Sequence, residues 1–179
     1  MNFFDLITAF KKRYYRFIFK PFLGSLGKQS YIISPLRIEG MRNIYLGKNT
    51  IIMNYAWLGV QKKLGASLII GNNTYIGNLS HIDCAGIIKI GDNVTIADKV
   101  YIGDNNYKIT FNKELILGDL LAKNISIGNN CWIGESAIIL ASSIGNNVIV
   151  GAGSVVTKDV QNNCVVAGNP AKIVKMLES

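Results

Sequence analysis

Histidine, proline and charge are all scarce in this sequence. Its one imidazole is His81, and its three thiols are Cys84, Cys131 and Cys164. No Cys-x-x-Cys pair and no Cys/His cluster occurs, which argues against a metal site; an odd number of widely spaced cysteines argues against a disulfide framework. Reduced thiols of this kind fit a cytoplasmic protein. Only 3 of 179 residues are proline, only 17% are charged, and 49% are hydrophobic, so the chain is not intrinsically disordered. There are 18 glycines, which suits many tight corners in one regular architecture.

A long apolar run is also missing. The most apolar-looking terminus, residues 1–22, is broken by Lys11, Lys12, Arg13 and Arg16, which excludes a transmembrane span. Its charges follow the apolar stretch and no small-residue cleavage site comes after, which excludes a signal peptide. Residues 1–30 carry six basic residues against Asp5 alone, so +5 of the net +8 sits there. The rest of the chain is nearly balanced, and a nucleic-acid partner is not expected. Phe3, Ile7, Phe10, Tyr14 and Phe17 follow helical spacing, Lys12, Arg13, Arg16 and Lys20 take the other side, and Pro21 should end the helix. Two readings are open for this amphipathic helix. It lies on a membrane surface, aromatic face in lipid and basic face toward anionic headgroups, or it packs on the protein body or a neighbouring subunit.

From residue 38 onward a six-residue period takes over. Leu46-Gly-Lys-Asn, Ile70-Gly-Asn-Asn, Ile90-Gly-Asp-Asn, Ile127-Gly-Asn-Asn and Ile144-Gly-Asn-Asn each open a set of three aliphatic residues. The sets are Leu46, Ile52, Leu58; Ile70, Ile76, Ile82; Ile90, Ile96, Ile102; Ile127, Ile133, Ile139; and Ile144, Val150, Val156. Neither a helix nor a long strand has this period. Short strands joined by sharp corners do, with the aliphatic residues stacked inside a β-solenoid of about five coils and Gly or Asn accepting left-handed angles at the corners. The organisation expected is a basic helix and linker over residues 1–30, then a solenoid domain with a C-terminal tail over 31–179.

In these repeats the chain resembles the hexapeptide-repeat acyltransferases over roughly residues 36–175. The most specific part is Trp132-Ile133-Gly134, then residues 151–159 (GAGSVVTKD) and 168–172 (GNPAK), in the order found in the family's saccharide O-acetyltransferases. One corner departs from the pattern, with five residues from Ile139 to Ile144 in place of six. The resemblance implies an all-β fold, a left-handed parallel β-helix with an N-terminal amphipathic α-helix. It implies a homotrimer using acetyl-CoA as co-substrate and no metal, and transfer of acetyl to a saccharide hydroxyl, in surface polysaccharide synthesis. Such an enzyme would be cytoplasmic, or peripheral on the inner face of the cell membrane beside a lipid-linked acceptor. Two alternatives stand beside it: N-acetylation of a nucleotide-linked amino sugar, and a catalytically silent trimeric scaffold.

The same resemblance distributes roles. Trp132 would lie against the coenzyme, Ala152, Gly153 and Ser154 would offer backbone to the pantetheine, and Thr157, Lys158 and Lys172 would approach the adenosine and phosphates. The family's basic histidine falls five residues beyond Ile102, where this chain has Tyr107. An acceptor-orienting asparagine falls near Gly77, beside Asn78. A tyrosine with an ordinary pKa of about 10 yields little phenolate, whereas an imidazole suits a base. The catalytic candidates are therefore His81, Tyr107 and Asp104, with Asn78, Asp83 and Asn106 on the acceptor. His81 should stack against Tyr101 at a corner, away from Tyr107. Asp104 is expected as a solvated loop carboxylate. The interruption between Ile102 and Ile127 is expected as an irregular loop shaping acceptor choice.

Overall fold

The computed structural model describes residues 3–112 and 114–178; Met1, Asn2, Lys113 and Ser179 lie outside what is described, as do the side chains of residues 3–6, Lys63, 111–112 and 114–117. The chain winds as a three-sided prism of parallel strands. The first face stacks Ser25–Leu26, Ile44–Leu46, Ser67–Ile70, Ile87–Ile90 and Ile125–Ile127. The second stacks Tyr31–Ile32, Ile51–Ile52, Tyr75–Ile76, Thr95–Ile96, Trp132–Ile133, Val148–Val150 and Cys164–Gly168. The third stacks Arg37–Glu39, Trp57–Val60, His81–Cys84, Tyr101–Gly103, Ile138–Leu140 and Val155–Val156.

The six-residue grid is the core. Ile70 pairs with Ile90, Ile76 with Ile96, and Ile82 with Ile102, one column per face, and each of these six residues is almost fully buried. Burial of this kind stabilises by roughly 1.5–3 kcal/mol per large aliphatic side chain. The solenoid begins earlier than the repeats from residue 38 suggest. Leu26, Ile32 and Ile38 make a first coil, in register with Leu46, Ile52 and Leu58. Seven parallel strands on the second face, seven rungs on the first once the Ile127–Ile144 and Ile144–Val160 bridges are included, and six strands on the third give about seven turns where the repeat sets indicate five.

The Gly-Asn-Asn corners have a plain physical cause. The second Asn of each corner has left-handed backbone: φ is 52° at Asn73, 56° at Asn93 and 57° at Asn130. Its amide joins a ladder along the prism, Asn49 to Asn73 to Asn93 to Asn130 to Asn147 to Asn163, at 2.7–3.2 Å. The residue before it, Asn72, Asp92, Asn129 or Asn146, accepts a backbone N–H from the coil before. Beside these corners runs a buried column: Ser30, Thr50 and Thr74 donate to the carbonyls of Gly47, Gly71 and Gly91. Farther along, Val94, Cys131, Val148 and Cys164 take the same place, so two of the three thiols are column residues. Burial raises the pKa of both.

Residues 105–122 differ from expectation. They are a regular antiparallel hairpin, Asn105–Asn112 against Glu114–Ala122, with a register shift between Tyr107 and Ile109. Its rise out of the third face explains why the period stops at Ile102: the alternation Tyr107, Ile109, Phe111 is that of a two-stranded ribbon.

The N-terminal helix, Phe3–Phe19, packs on the first coil, but by the side expected to face outward. Arg16 donates to the carbonyls of Gly27 (2.8 Å) and Ser30 (2.6 Å), and Lys12 sits over the Tyr31 ring. Tyr15 accepts from Ser34, and Phe19 packs against the core. The reason is hydrogen-bond accounting: edge carbonyls of the first coil have no coil before them, and a guanidinium satisfies two at once. The predicted apolar stripe is left outside, with Phe10 70% and Phe17 81% exposed.

Candidate active site

Two clusters flank one edge of the prism, the corner between the second and third faces. The first is a groove of about 410 Å³ around Trp132, Ala97, Gly134, Glu135, Gly151 and Ala152. Trp132 stands 55% exposed in its strand, paired to Thr95 and Ile149. Gly134 lets the next coil approach, since a Cβ there would lie 2.5 Å from the Ala152 nitrogen. Gly153 turns with φ +65° into open space. Trp132, Ala152 and Gly153 are thus brought together as a thin ligand would require.

The other residues assigned to a coenzyme are placed less uniformly. Ser154 is buried, and its backbone and side chain are all engaged: its N–H with Gly151, its carbonyl with Ile138, its hydroxyl with the Gly168 N–H. Lys172 pairs with Ala167, whose Cβ position adjoins Gly151, so it borders the groove. Thr157 and Lys158 are exposed past Val155–Val156, a face-width away.

The second cluster lies just past the same corner, on the third face. Trp57, His81 and Tyr101 occupy one outward column in strand register. His81 therefore stacks as expected but within a strand, not at a corner. Its ring lies parallel to Trp57 (centroids 4.3 Å, 11°) and edge-on to Tyr101 (5.2 Å, 78°), and Arg37 caps the far side of Trp57. Asp83 is the next outward residue, with Gly59 and Gly103 as its strand neighbours. Gln61 donates to its carboxylate at 3.5 Å, and the hairpin root reaches its carbonyl through Asp104 N–H and Asn105 Nδ2. Burial lowers the His81 pKa below its ordinary 6.5, against the opposing pull of Asp83. The imidazole is held toward the neutral form, which is the form that accepts a proton. Burial, then Asp83 and Asp104, raise the Tyr101 pKa.

Three candidates are differently situated. Asp104 is not a solvated loop carboxylate: it is fully buried, and its two oxygens accept from the N–H groups of Ala85 (2.7 Å) and Gly86 (2.8 Å). Its chain position explains this, because it roots the hairpin and must close the corner between Cys84 and Ile87. Beside it, burial and that carboxylate push the Cys84 thiol up to about 12. Asn78 spends its amide on a corner ladder between Asn54 and Asp98. Tyr107 and Asn106 are exposed on the hairpin, and the Asn106 side chain accepts from the Tyr107 N–H. Among the described residues, no three His, Cys, Asp or Glu side chains gather as a metal ion would need. Trp57, Gln61 and Arg37 were invisible to motif reading, although Trp57, His81 and Tyr101 stand each just before an inward aliphatic residue, the one signal that aligns them.

The sequence model for the bacterial transferase hexapeptide (six repeats) matches residues 124–158, the stretch that builds the Trp132 groove. No curated protein matches the sequence. Among solved structures, AntD, an N-acyltransferase from Bacillus cereus in complex with dTDP and 3-hydroxybutyryl-CoA, is 20% identical with a TM-score of 0.78, over 91% of this chain and 88% of its own. A variant of AntD in complex with dTDP-4-amino-4,6-dideoxyglucose and coenzyme A is 19% identical, TM-score 0.78, over 92% and 89%. The hexapeptide-repeat-containing acetyltransferase VCA0836 from Vibrio cholerae is 23% identical, TM-score 0.64, over 94% and 82%. The fold is that of these structures, an all-β left-handed parallel β-helix with one N-terminal helix, and residues 124–158 carry the transferase hexapeptide. This architecture is that of the hexapeptide-repeat acyltransferases.

Proposed function

We propose that this protein is an acyltransferase that moves acetyl from acetyl-CoA to a saccharide hydroxyl, as a homotrimer. The observation that carries the reading is the Trp132–Gly134–Ala152 groove, which lies within and beside the stretch matching the transferase hexapeptide and on the same edge as the only imidazole. In this reading the indole of Trp132 covers the coenzyme, Ala152 and Gly153 let its thin arm approach, and Lys172 meets a phosphate as a point charge. His81, held neutral by burial, takes the acceptor proton as the oxygen attacks the thioester carbonyl. The carbon–sulfur bond then breaks, and the proton passes to the departing thiolate. Tyr107, exposed on the hairpin, contacts the acceptor; Asp104 holds the hairpin root.

A second reading, N-acylation of a nucleotide-linked amino sugar, is favoured by one finding: the AntD structures share the fold at TM-scores of about 0.78. Thiol release from acetyl-CoA with a panel of neutral and amino sugars tests both. Acetyl lost from the product in mild base marks an ester, and resistance marks an amide. Coenzyme bound at Trp132 with no turnover on any acceptor would overturn the enzyme reading in favour of a silent scaffold. Undiminished turnover in His81→Ala would remove His81 as the base.

The outward stripe of Phe10, Tyr14 and Phe17, bordered by Arg13 and Lys20, supports a peripheral contact with an anionic membrane, in keeping with surface polysaccharide synthesis on the inner face of the cell membrane. No described helix is long and apolar enough to cross a membrane. Cosedimentation with phosphatidylglycerol vesicles but not phosphatidylcholine vesicles is expected, and its absence would refute the contact.

A further inference from the structure

From the third face we infer that Trp57, His81, Asp83 and Tyr101 form the subsite that holds the acceptor sugar ring. This rests on the acyltransferase reading and specifies where its second substrate lies.

The cluster is built like a binding site and is poorly explained as packing. Trp57 Nε1 is buried, and among the described residues nothing accepts its hydrogen. A buried donor without a partner is destabilising, so its persistence asks for a ligand acceptor. A Cβ on Gly59 would be 3.5 Å from that nitrogen and 3.7 Å from the Asp83 carboxylate, so donor and acceptor share one floor made shallow by glycine. On the other side of Asp83, the Tyr101 ring lies across Gly103, its hydroxyl 2.5 Å from where a Cβ would stand. Gly59 thus leaves open space between the Asp83 and Glu39 carboxylates, and on the other side of Asp83 the place that Gly103 leaves is filled by the Tyr101 ring. The Asp83 oxygens receive only the long contact from Gln61 among the described residues.

These groups suit a pyranose. The Tyr101 ring takes a C–H face, since His81 and Arg37 cover the two faces of Trp57, while the indole N–H and a carboxylate take hydroxyls or an amino group. Position supports the assignment. Both clusters adjoin the same corner, the donor groove spanning Ala97 to Ala152 and the ring cluster lying on the strands that follow that corner, with the Lys99–Glu135 ion pair between them. His81 is then the member of the ring cluster poised to touch the reacting hydroxyl, while Trp57 and Asp83 orient the sugar.

The two tryptophans make the test direct. In a proton–nitrogen spectrum of the full chain, the Trp57 and Trp132 indole signals are assigned with Trp57→Phe. The probes are methyl β-galactoside, glucosamine, dTDP-4-amino-4,6-dideoxyglucose and coenzyme A. A saturable shift of the Trp57 signal by at least one sugar probe is expected, with affinity about tenfold weaker in Asp83→Asn, the loss of one charged hydrogen bond. Coenzyme A is expected to move the Trp132 signal. A Trp57 signal unmoved by all three sugars overturns the subsite, even if coenzyme A moves Trp132. Coenzyme A moving neither signal counts instead against the acyltransferase reading.

Discussion

Replacing Asp104 with alanine separates a structural carboxylate from a catalytic one. The side chain is fully buried and accepts the N–H groups of Ala85 and Gly86 at 2.7 and 2.8 Å. Its own backbone carbonyl accepts from Lys123, so one residue ties both strands of the hairpin root to the third coil. Truncation leaves two buried donors without an acceptor, each costing about 1–3 kcal/mol, partly offset because a charge no longer has to be buried. We expect a net loss of about 3 kcal/mol, which for a chain of this length lowers the melting temperature by about 6–12 °C. Asp104→Asn keeps one acceptor but turns a donor toward the second N–H, so it should fall between the two. Thermal unfolding followed by circular dichroism measures the shift, and limited proteolysis should cut the hairpin first in the variant. A melting temperature within about 2 °C of the parent, with the hairpin still protected, would refute the argument. An Asp104→Asn protein of normal stability that had lost all turnover would return the residue to the chemistry.

Other outcomes follow from the same geometry. Burial holds the folded pKa of His81 below 6.5, so the unfolded chain binds the extra proton first as pH falls. Stability from this group is complete above 6.5 and is lost as pH drops below it, and in urea titrations at several pH values His81→Gln should flatten that acid slope. Asn93→Ala should cost about 1 kcal/mol more than Asn93→Gly, because both lose the ladder but only alanine is strained at φ 56°; equal denaturation midpoints would contradict this. Cys131→Val should cost less than about 1.5 kcal/mol, since Val94 and Val148 already occupy the column on either side. In the parent, all three buried thiols should resist a thiol reagent until unfolding; rapid labelling of the folded protein would mean the column opens.

What could be read from the chain follows from how local each signal is. The aliphatic grid was legible because six residues per side leave every sixth residue inside, whatever lies between. The corner asparagines were legible for the same reason. The first coil escaped because Leu26-Gly-Lys-Gln lacks the final Asn, and φ 59° at Gln29 shows the same turn made with a less usual residue. The hairpin escaped because two residues per repeat looks irregular when six is the ruler. The sugar-facing cluster is a matter of register: Trp57, His81 and Tyr101 are far apart in sequence and meet only when coils stack. The helix was correctly seen as two-sided, but which side meets the body depended on bare carbonyls that sequence does not display.

Parallel coils that stack without limit would offer their terminal strands to the next molecule. Here both terminal coils carry a stop. At one end Arg16 occupies the carbonyls of Gly27 and Ser30. At the other, Ala171–Met176 returns antiparallel across Cys164–Gly168 and breaks the stacking direction. These closures set the molecule's length as a ruler of fixed coil number. A chain without residues 1–22 would keep its interior and lose one stopper while the other end stays closed, so its bare edge would pair two copies end to end and growth would stop there.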